Sequence, residues 1–220
     1  MRNKLYLMLL AYVSSAMAVS SIQSNPPTSV LLNQINISYA NKKAIYREIY
    51  TIGLEKIVDQ IYQQKLAANT WGVIFDLDGT LLDDSQQHYA NPGSVEISCK
   101  IIKLGGMVSI VTDRSGSIQN NTEFINETKN ELDRNGICYS NVLFANNNND
   151  SNKNPRFVAV SSGDYDNVIA TKRLPPLKIL AYFGNSIEDF PGLKQNLANS
   201  LPVSDSMFSE FGQKYFMLPR

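Results

Sequence analysis

The chain has 220 residues, 43% of them hydrophobic and 18% charged. That balance excludes a disordered, collagen-like or coiled-coil protein and suits one globular domain of about 150–200 residues with appendages. Twenty basic and twenty acidic side chains cancel, so no basic excess argues for nucleic acid, and two cysteines are too few for a disulfide scaffold or a four-cysteine zinc site.

Residues 1–18 have the form of an export leader. Arg2 and Lys4 precede the apolar run Leu5 to Val13, and Ala16-Met17-Ala18 is a small-x-small cleavage site. The run is shorter than the roughly 20 residues of a membrane span, so no stable anchor is expected after cleavage. With Arg2 and Lys4 removed, 18 basic residues face 20 acidic ones, a net charge of −2. The expected location is periplasmic or secreted. An oxidising compartment permits a Cys99–Cys138 disulfide without requiring it, and two unpaired buried thiols are at least as well supported.

Residues 19–37 are polar, carry Pro26-Pro27 and read as a linker; the folded domain is expected over 38–220. Ser38 to Ala67 has helical character, with Ile45, Ile49, Ile52, Ile57 and Ile61 on one face and Gly53 as a point of interruption. Its expected job is packing against the domain that follows. Gly72 to Phe75 is a short apolar run of buried-strand type. A helix over Gly93 to Leu104 ends at Gly105-Gly106, and Met107 to Val111 is a second strand. Ile118 to Arg134 is an amphipathic helix, Val142 to Ala145 a third strand, and Asn146 to Asn154 an asparagine-rich loop. Lys178 to Phe183 and Tyr215 to Leu218 supply two more strands. Strands alternating with helices predict an α/β fold, a Rossmann-like parallel sheet flanked by helices, with an N-terminal helical extension.

Ligands of open α/β sheets bind beyond the carboxyl ends of the strands. There the sequence puts Asp76-Leu77-Asp78-Gly79-Thr80, then Thr112-Asp113-Arg114, then Asn185 and Asp189. Asp76 and Asp78 are two residues apart, so on an extended chain both carboxylates point the same way. Two carboxylates held close require a hard divalent cation or a shared proton. With a metal present, one of them can attack phosphorus while the other manages protons.

Phe75-Asp76-Leu77-Asp78-Gly79-Thr80-Leu81-Leu82-Asp83 resembles the nucleophile motif of the haloacid dehalogenase superfamily. Asn91-Pro92-Gly93-Ser94-Val95-Glu96, Ile110-Val111-Thr112-Asp113-Arg114, Lys153-Asn154-Pro155-Arg156-Phe157, Tyr182 to Phe190 and Phe211 to Pro219 resemble successive segments of its secreted class C bacterial acid phosphatases. The resemblance spans roughly Ser38 to Arg220. It implies an exported, Mg²⁺-dependent phosphatase that hydrolyses phosphomonoesters, nucleotides included, through an aspartyl-phosphate. Asp76 would be the nucleophile and Asp78 the proton carrier. Thr112, Asp113 and Lys153 would bind phosphate; Asp76, Asp78, Asn185 and Asp189 would hold Mg²⁺. Lys172 is the other lysine that could serve as the motif lysine.

The family pattern has Gly-Asp-Asn where this chain has Gly184-Asn185-Ser186, so one negative charge is missing and Asp189 is the residue able to take over. Little chain lies between the motifs, so no large cap domain and an open site are expected. A catalytically weak or inactive descendant that binds or stores phosphate is the alternative. His88, the only histidine, lies in a polar loop and reads as a solvent-exposed bystander.

Overall fold

The computed structural model describes residues 39–85, 87–116, 122–147, 150–202 and 204–220. The leader and linker expected over 1–37 lie outside the described residues. The helices and strands of the described residues run in the order α1 (Tyr39–Gln64), β1 (Trp71–Phe75), α2 (Ser94–Lys103), β2 (Met107–Ser115), α3 (Thr122–Arg134), β3 (Asn141–Ala145), α4 (Asn154–Ser162), β4 (Ile169–Ala170), β5 (Lys178–Gly184), α5 (Gln195–Ser200) and β6 (Tyr215–Met217).

The strands form one sheet in the order β4-β3-β2-β1-β5-β6. All neighbours are parallel except β3 and β4, which are antiparallel. β1 lies at the centre, buried along its whole length, as a strand covered on both faces must be. Its register pairs Phe75 with Ile110 of β2 and with Phe183 of β5. Asp76 and Asn185 therefore leave the sheet, and Thr112 lies in the last part of β2, at the same end of the strands. Side-chain alternation splits the core. Val73, Phe75 and Ile110 face the α1–α2 side with Ile97, Ile101 and Leu132. Ile74, Val111 and Leu143 face Phe157, Val160 and Phe190 on the other.

The predicted strands are all present, within a residue or a few at each end. Three of the named elements were not expected: α4, β4 and the short α5. α4 begins inside the predicted loop: Pro155 opens it, Gly163 closes it with a left-handed backbone (φ 76°), and Phe157, Ala159 and Val160 bury one face. Its apolar signal is weak because Arg156 and two serines share nine residues with them. β4 is only two residues long. α3 is described from Thr122, and its predicted start at Ile118 lies outside the described residues. Among the described residues, no separate cap domain interrupts the sheet.

α1 corrects the expected isoleucine stripe. Ile52 is exposed, and the face against the sheet is Tyr46, Tyr50, Gly53 and Ile57. That is a four-three-four spacing in which tyrosines replace aliphatics because their hydroxyls have partners: Tyr46 Oη reaches the Gly79 carbonyl (2.7 Å) and Tyr50 Oη that of Thr80 (3.0 Å). Gly53 does not interrupt the helix. A Cβ there would run into the Phe183 ring, which stacks between Phe75 and Phe216. Cys99 of α2 and Cys138, just before β3, form a disulfide with Cα atoms 4.8 Å apart, which settles the thiol alternative.

An alanine in a helix interior ordinarily stabilises relative to glycine. Gly53→Ala is expected to do the reverse, lowering stability by about 1–3 kcal/mol through overpacking against a ring that cannot retreat. Urea unfolding of the two proteins side by side checks the sign, and a stabilised variant contradicts the close helix–sheet approach.

Candidate active site

The chain leaves β1 through a tight loop. Gly79 takes a left-handed backbone (φ 74°), Gly79 N–H donates to the Leu82 carbonyl (2.7 Å), and Leu82 N–H to that of Leu77 (3.0 Å). Asn91 braces the loop by donating Nδ2 to the carbonyls of Thr80 (2.8 Å) and Leu82 (3.0 Å). The tyrosines of α1 hold it from outside. The loop is thus fixed by its own backbone and by two neighbouring elements before any catalytic side chain is considered.

At its start Asp76 is almost fully buried. Its Oδ1 accepts from Lys153 Nζ at 2.6 Å and its Oδ2 from Thr80 Oγ1 at 2.9 Å. The same Lys153 Nζ reaches Asp189 Oδ1 at 2.6 Å, with Lys153 only 3% exposed and Asp189 5%. Asp189 Oδ2 accepts the backbone N–H groups of Asn185 (2.9 Å) and Ser186 (2.7 Å). Gly184 makes that possible, since a Cβ there would strike the Asp189 carboxylate. Two buried carboxylates therefore share one ammonium. Burial pushes the Asp76 carboxyl up to about 7; Lys153 and Thr80 pull it down, and Asp189 adds to the rise. Burial works to lower the Lys153 ammonium, but Asp76, Asp189 and Asp113 outweigh it and hold it charged.

Asp78 points away from this triad. Arg114 grips it bidentately, Nε to Oδ2 at 2.8 Å and Nη2 to Oδ1 at 2.6 Å. The third nitrogen, Nη1, reaches Glu131 Oε2 at 2.6 Å. Thr112 is buried and its Oγ1 accepts the Arg114 N–H (3.1 Å). Asp113 is half exposed; its Oδ1 accepts from Arg156 Nη2 (3.2 Å) and its Oδ2 is 3.7 Å from Lys153 Nζ. The Arg156 guanidinium also donates to the Thr112 carbonyl.

All the predicted residues meet on one edge, and of the two candidate lysines it is Lys153 that stands beside Asp76. Lys172 is exposed near β4. Three participants carry no role in the sequence reading: Thr80, Arg114 and Arg156. Arg114 was within sight, since it directly follows Thr112-Asp113 at a strand end. His88 is not a free bystander. It takes a positive φ (47°), and its buried Nδ1 lies 3.8 Å from Asp78 Oδ1 with no hydrogen-bond partner.

For a hard cation, no three Asp, Glu, His or Cys side chains cluster suitably among the described residues. The donor chemistry still fits one. Asn185's side-chain amide lies on the Asp78 carbonyl (Nδ2 to O, 3.1 Å). The two ends of an amide differ only by rotation; turned over, Asn185 sets a second oxygen next to the Asp78 carbonyl, an all-oxygen set of the kind Mg²⁺ takes. Asp189 stands behind, both of its oxygens engaged by Lys153 and backbone amides.

No family model matches the chain, and no curated protein matches it. Among solved structures it is similar to the class C acid phosphatase from Bacillus anthracis with tungstate bound. The match has a TM-score of 0.64 at 20% sequence identity and covers 87% of this chain and 83% of that one. The likeness shows a shared fold.

A raised carboxyl pKa has a definite sign in stability. Native Asp76 holds a proton between about pH 4 and 7 that the unfolded chain has released, so its contribution is fully present below pH 4 and lost as the pH rises through 7. In EDTA, thermal midpoints are expected to fall across that interval, and Asp76→Asn to flatten the fall. An unchanged slope in the variant would assign the effect to other groups.

Proposed function

We propose that this chain is an exported phosphomonoester hydrolase acting through an aspartyl-phosphate. The supporting observation is the buried Asp76–Lys153–Asp189 triad at the strand edge, next to the separately held Asp78. The likeness to an acid phosphatase fold agrees with it. The Cys99–Cys138 disulfide agrees with the leader-like first eighteen residues in pointing to an oxidising compartment.

An Asp76 oxygen attacks the phosphorus of the ester, and the bond to the alcohol breaks with its electron pair on the leaving oxygen. Asp78 supplies that oxygen with a proton. The carboxylate of Asp78 then takes a proton from water, which attacks the phosphorus of the aspartyl-phosphate and regenerates Asp76 with release of inorganic phosphate. Thr112 and the backbone around Asp113 bind phosphoryl oxygens, and Lys153 offsets charge between nucleophile and phosphate. Catalysis of this kind is mostly positioning and electrostatic stabilisation. Asp76, the Asp78 carbonyl and Asn185, backed by Asp189, would hold Mg²⁺, whose charge neutralises the approaching phosphate. The open edge suits small phosphomonoesters, nucleotides among them.

The purified protein with Mg²⁺ is expected to hydrolyse p-nitrophenyl phosphate, to stop in EDTA and to recover when Mg²⁺ is restored. Asp76→Asn should cost about 10³-fold or more in kcat, as loss of a nucleophile does. Retained turnover in that variant ends the proposal. Phosphate binding without turnover on any phosphomonoester would favour the non-catalytic alternative.

A further inference from the structure

Resting on that reading, we infer that Arg114 is the positioning residue for proton transfer, fixing the Asp78 carboxylate against the leaving-group side of the site through an anchor in α3. Asp78 sits on a loop, and its side chain is 38% exposed. An exposed aspartate has two free torsions and no reason to keep one orientation. This one is held by both oxygens in a planar fork that matches a carboxylate and restricts its rotation about the Cβ–Cγ bond.

The fork is itself immobilised. Arg114 has a side chain only 12% exposed, and its remaining nitrogen is tied to Glu131 Oε2 (2.6 Å) and Thr128 Oγ1 (3.3 Å), one turn apart on α3. Burial opposes the guanidinium charge, but Asp78 and Glu131 raise its pKa, so the fork stays cationic. The chain of contacts runs from a rigid helix through a buried arginine to a carboxylate at the solvent edge. Its direction matters. Nothing in it touches Asp76, Lys153 or Asp189, so its loss leaves the nucleophile in place and frees only the proton carrier. Two oxygens with about four lone-pair sites leave Asp78 positions unused by Arg114, and those are available to the leaving oxygen and to water.

The two roles of Asp78 give a readout that mere structural support would not produce. Proton delivery matters for a poor leaving group and hardly at all for a good one, and kcat/KM reports the step in which the leaving group departs. For Arg114→Lys, which keeps the charge and loses the fork, kcat/KM for p-nitrophenyl phosphate should stay within about threefold of the parent. For phenyl phosphate and then ethyl phosphate it should fall progressively, reaching on the order of 10²-fold, the usual worth of a placed acid. At saturating p-nitrophenyl phosphate, kcat should drop while phosphoenzyme accumulates in acid-quenched samples, because water activation is also impaired. Glu131→Gln, which keeps Arg114 and loosens its anchor, should tilt the same series in the same direction and less steeply; its thermal midpoint serves as the folding control should Arg114→Lys express poorly. An equal loss across all leaving groups, or a gain for ethyl phosphate, overturns the assignment while leaving the phosphatase reading intact. Retained turnover in Asp76→Asn would instead remove the reading beneath it.

Discussion

One ammonium between two buried carboxylates is the interaction on which the rest of this structure depends. Lys153 comes from the start of α4, Asp76 from the end of β1 and Asp189 from the turn after β5, so three separate segments must converge within hydrogen-bond reach. Removing a charge from water costs several kcal/mol, and attraction to a partner returns it only when the geometry is good and the remaining polar atoms are bonded. Here those conditions are met: Thr80 takes the second oxygen of Asp76, and two backbone amides take that of Asp189. Such a knot specifies an arrangement more than it stabilises one, because any shift of α4 relative to β1 would leave a charge buried and unpaired.

The surrounding fold meets that demand with polar groups facing inward from elements that otherwise look like packing. α1 illustrates it. A helix that only covered a sheet would present aliphatic side chains; this one presents Tyr46 and Tyr50, whose rings fill the core and whose hydroxyls close on carbonyls of the loop that carries Asp78. Asn91 shares the Thr80 carbonyl with Tyr50 and adds a bond to that of Leu82. The N-terminal extension is thereby a wall of the site as well as a lid on the core, and the glycine at position 53 lets it come near enough to act as one.

Much of this was legible in the sequence, for a reason that differs by feature. Strands show as short apolar runs, and the rule that ligands sit beyond their carboxyl ends is enough to bring Asp76, Asp78, Thr112, Asn185 and Asp189 to one place. Lys153 was found only through the resemblance, since a lysine in an asparagine-rich loop looks like a solvated charge until the helix after it is seen to be buried. The strand end puts Arg114 in view, but the pairings of Arg114 and Arg156 do not show in the sequence because their partners lie 17 to 44 residues away: Glu131 and Asp78 for one, the Thr112 carbonyl and Asp113 for the other. The Cys99–Cys138 pair could not be decided from spacing, which says nothing about distance. The isoleucine stripe of α1 holds for Ile49, Ile57 and Ile61 but not for Ile52, and counting aliphatics misses a tyrosine that can bury its ring and still bond its hydroxyl.

The two aspartates of the first motif, similar in sequence, end in opposite electrostatic settings, and the charge count of the edge follows from that. The ion-pair network contains Asp76, Asp78, Asp113, Glu131 and Asp189 against Lys153, Arg114 and Arg156. Five negative and three positive groups leave two negative charges uncompensated, one of them in the dry triad and one in the Arg114 cluster. Burial is the main reason the Asp76 pKa is raised; Lys153 opposes the rise and the Asp189 carboxylate adds to it. Under the proposed function, a phosphate ester would add further negative charge to this network. A dication held there, as proposed, would offset the negative excess of this network.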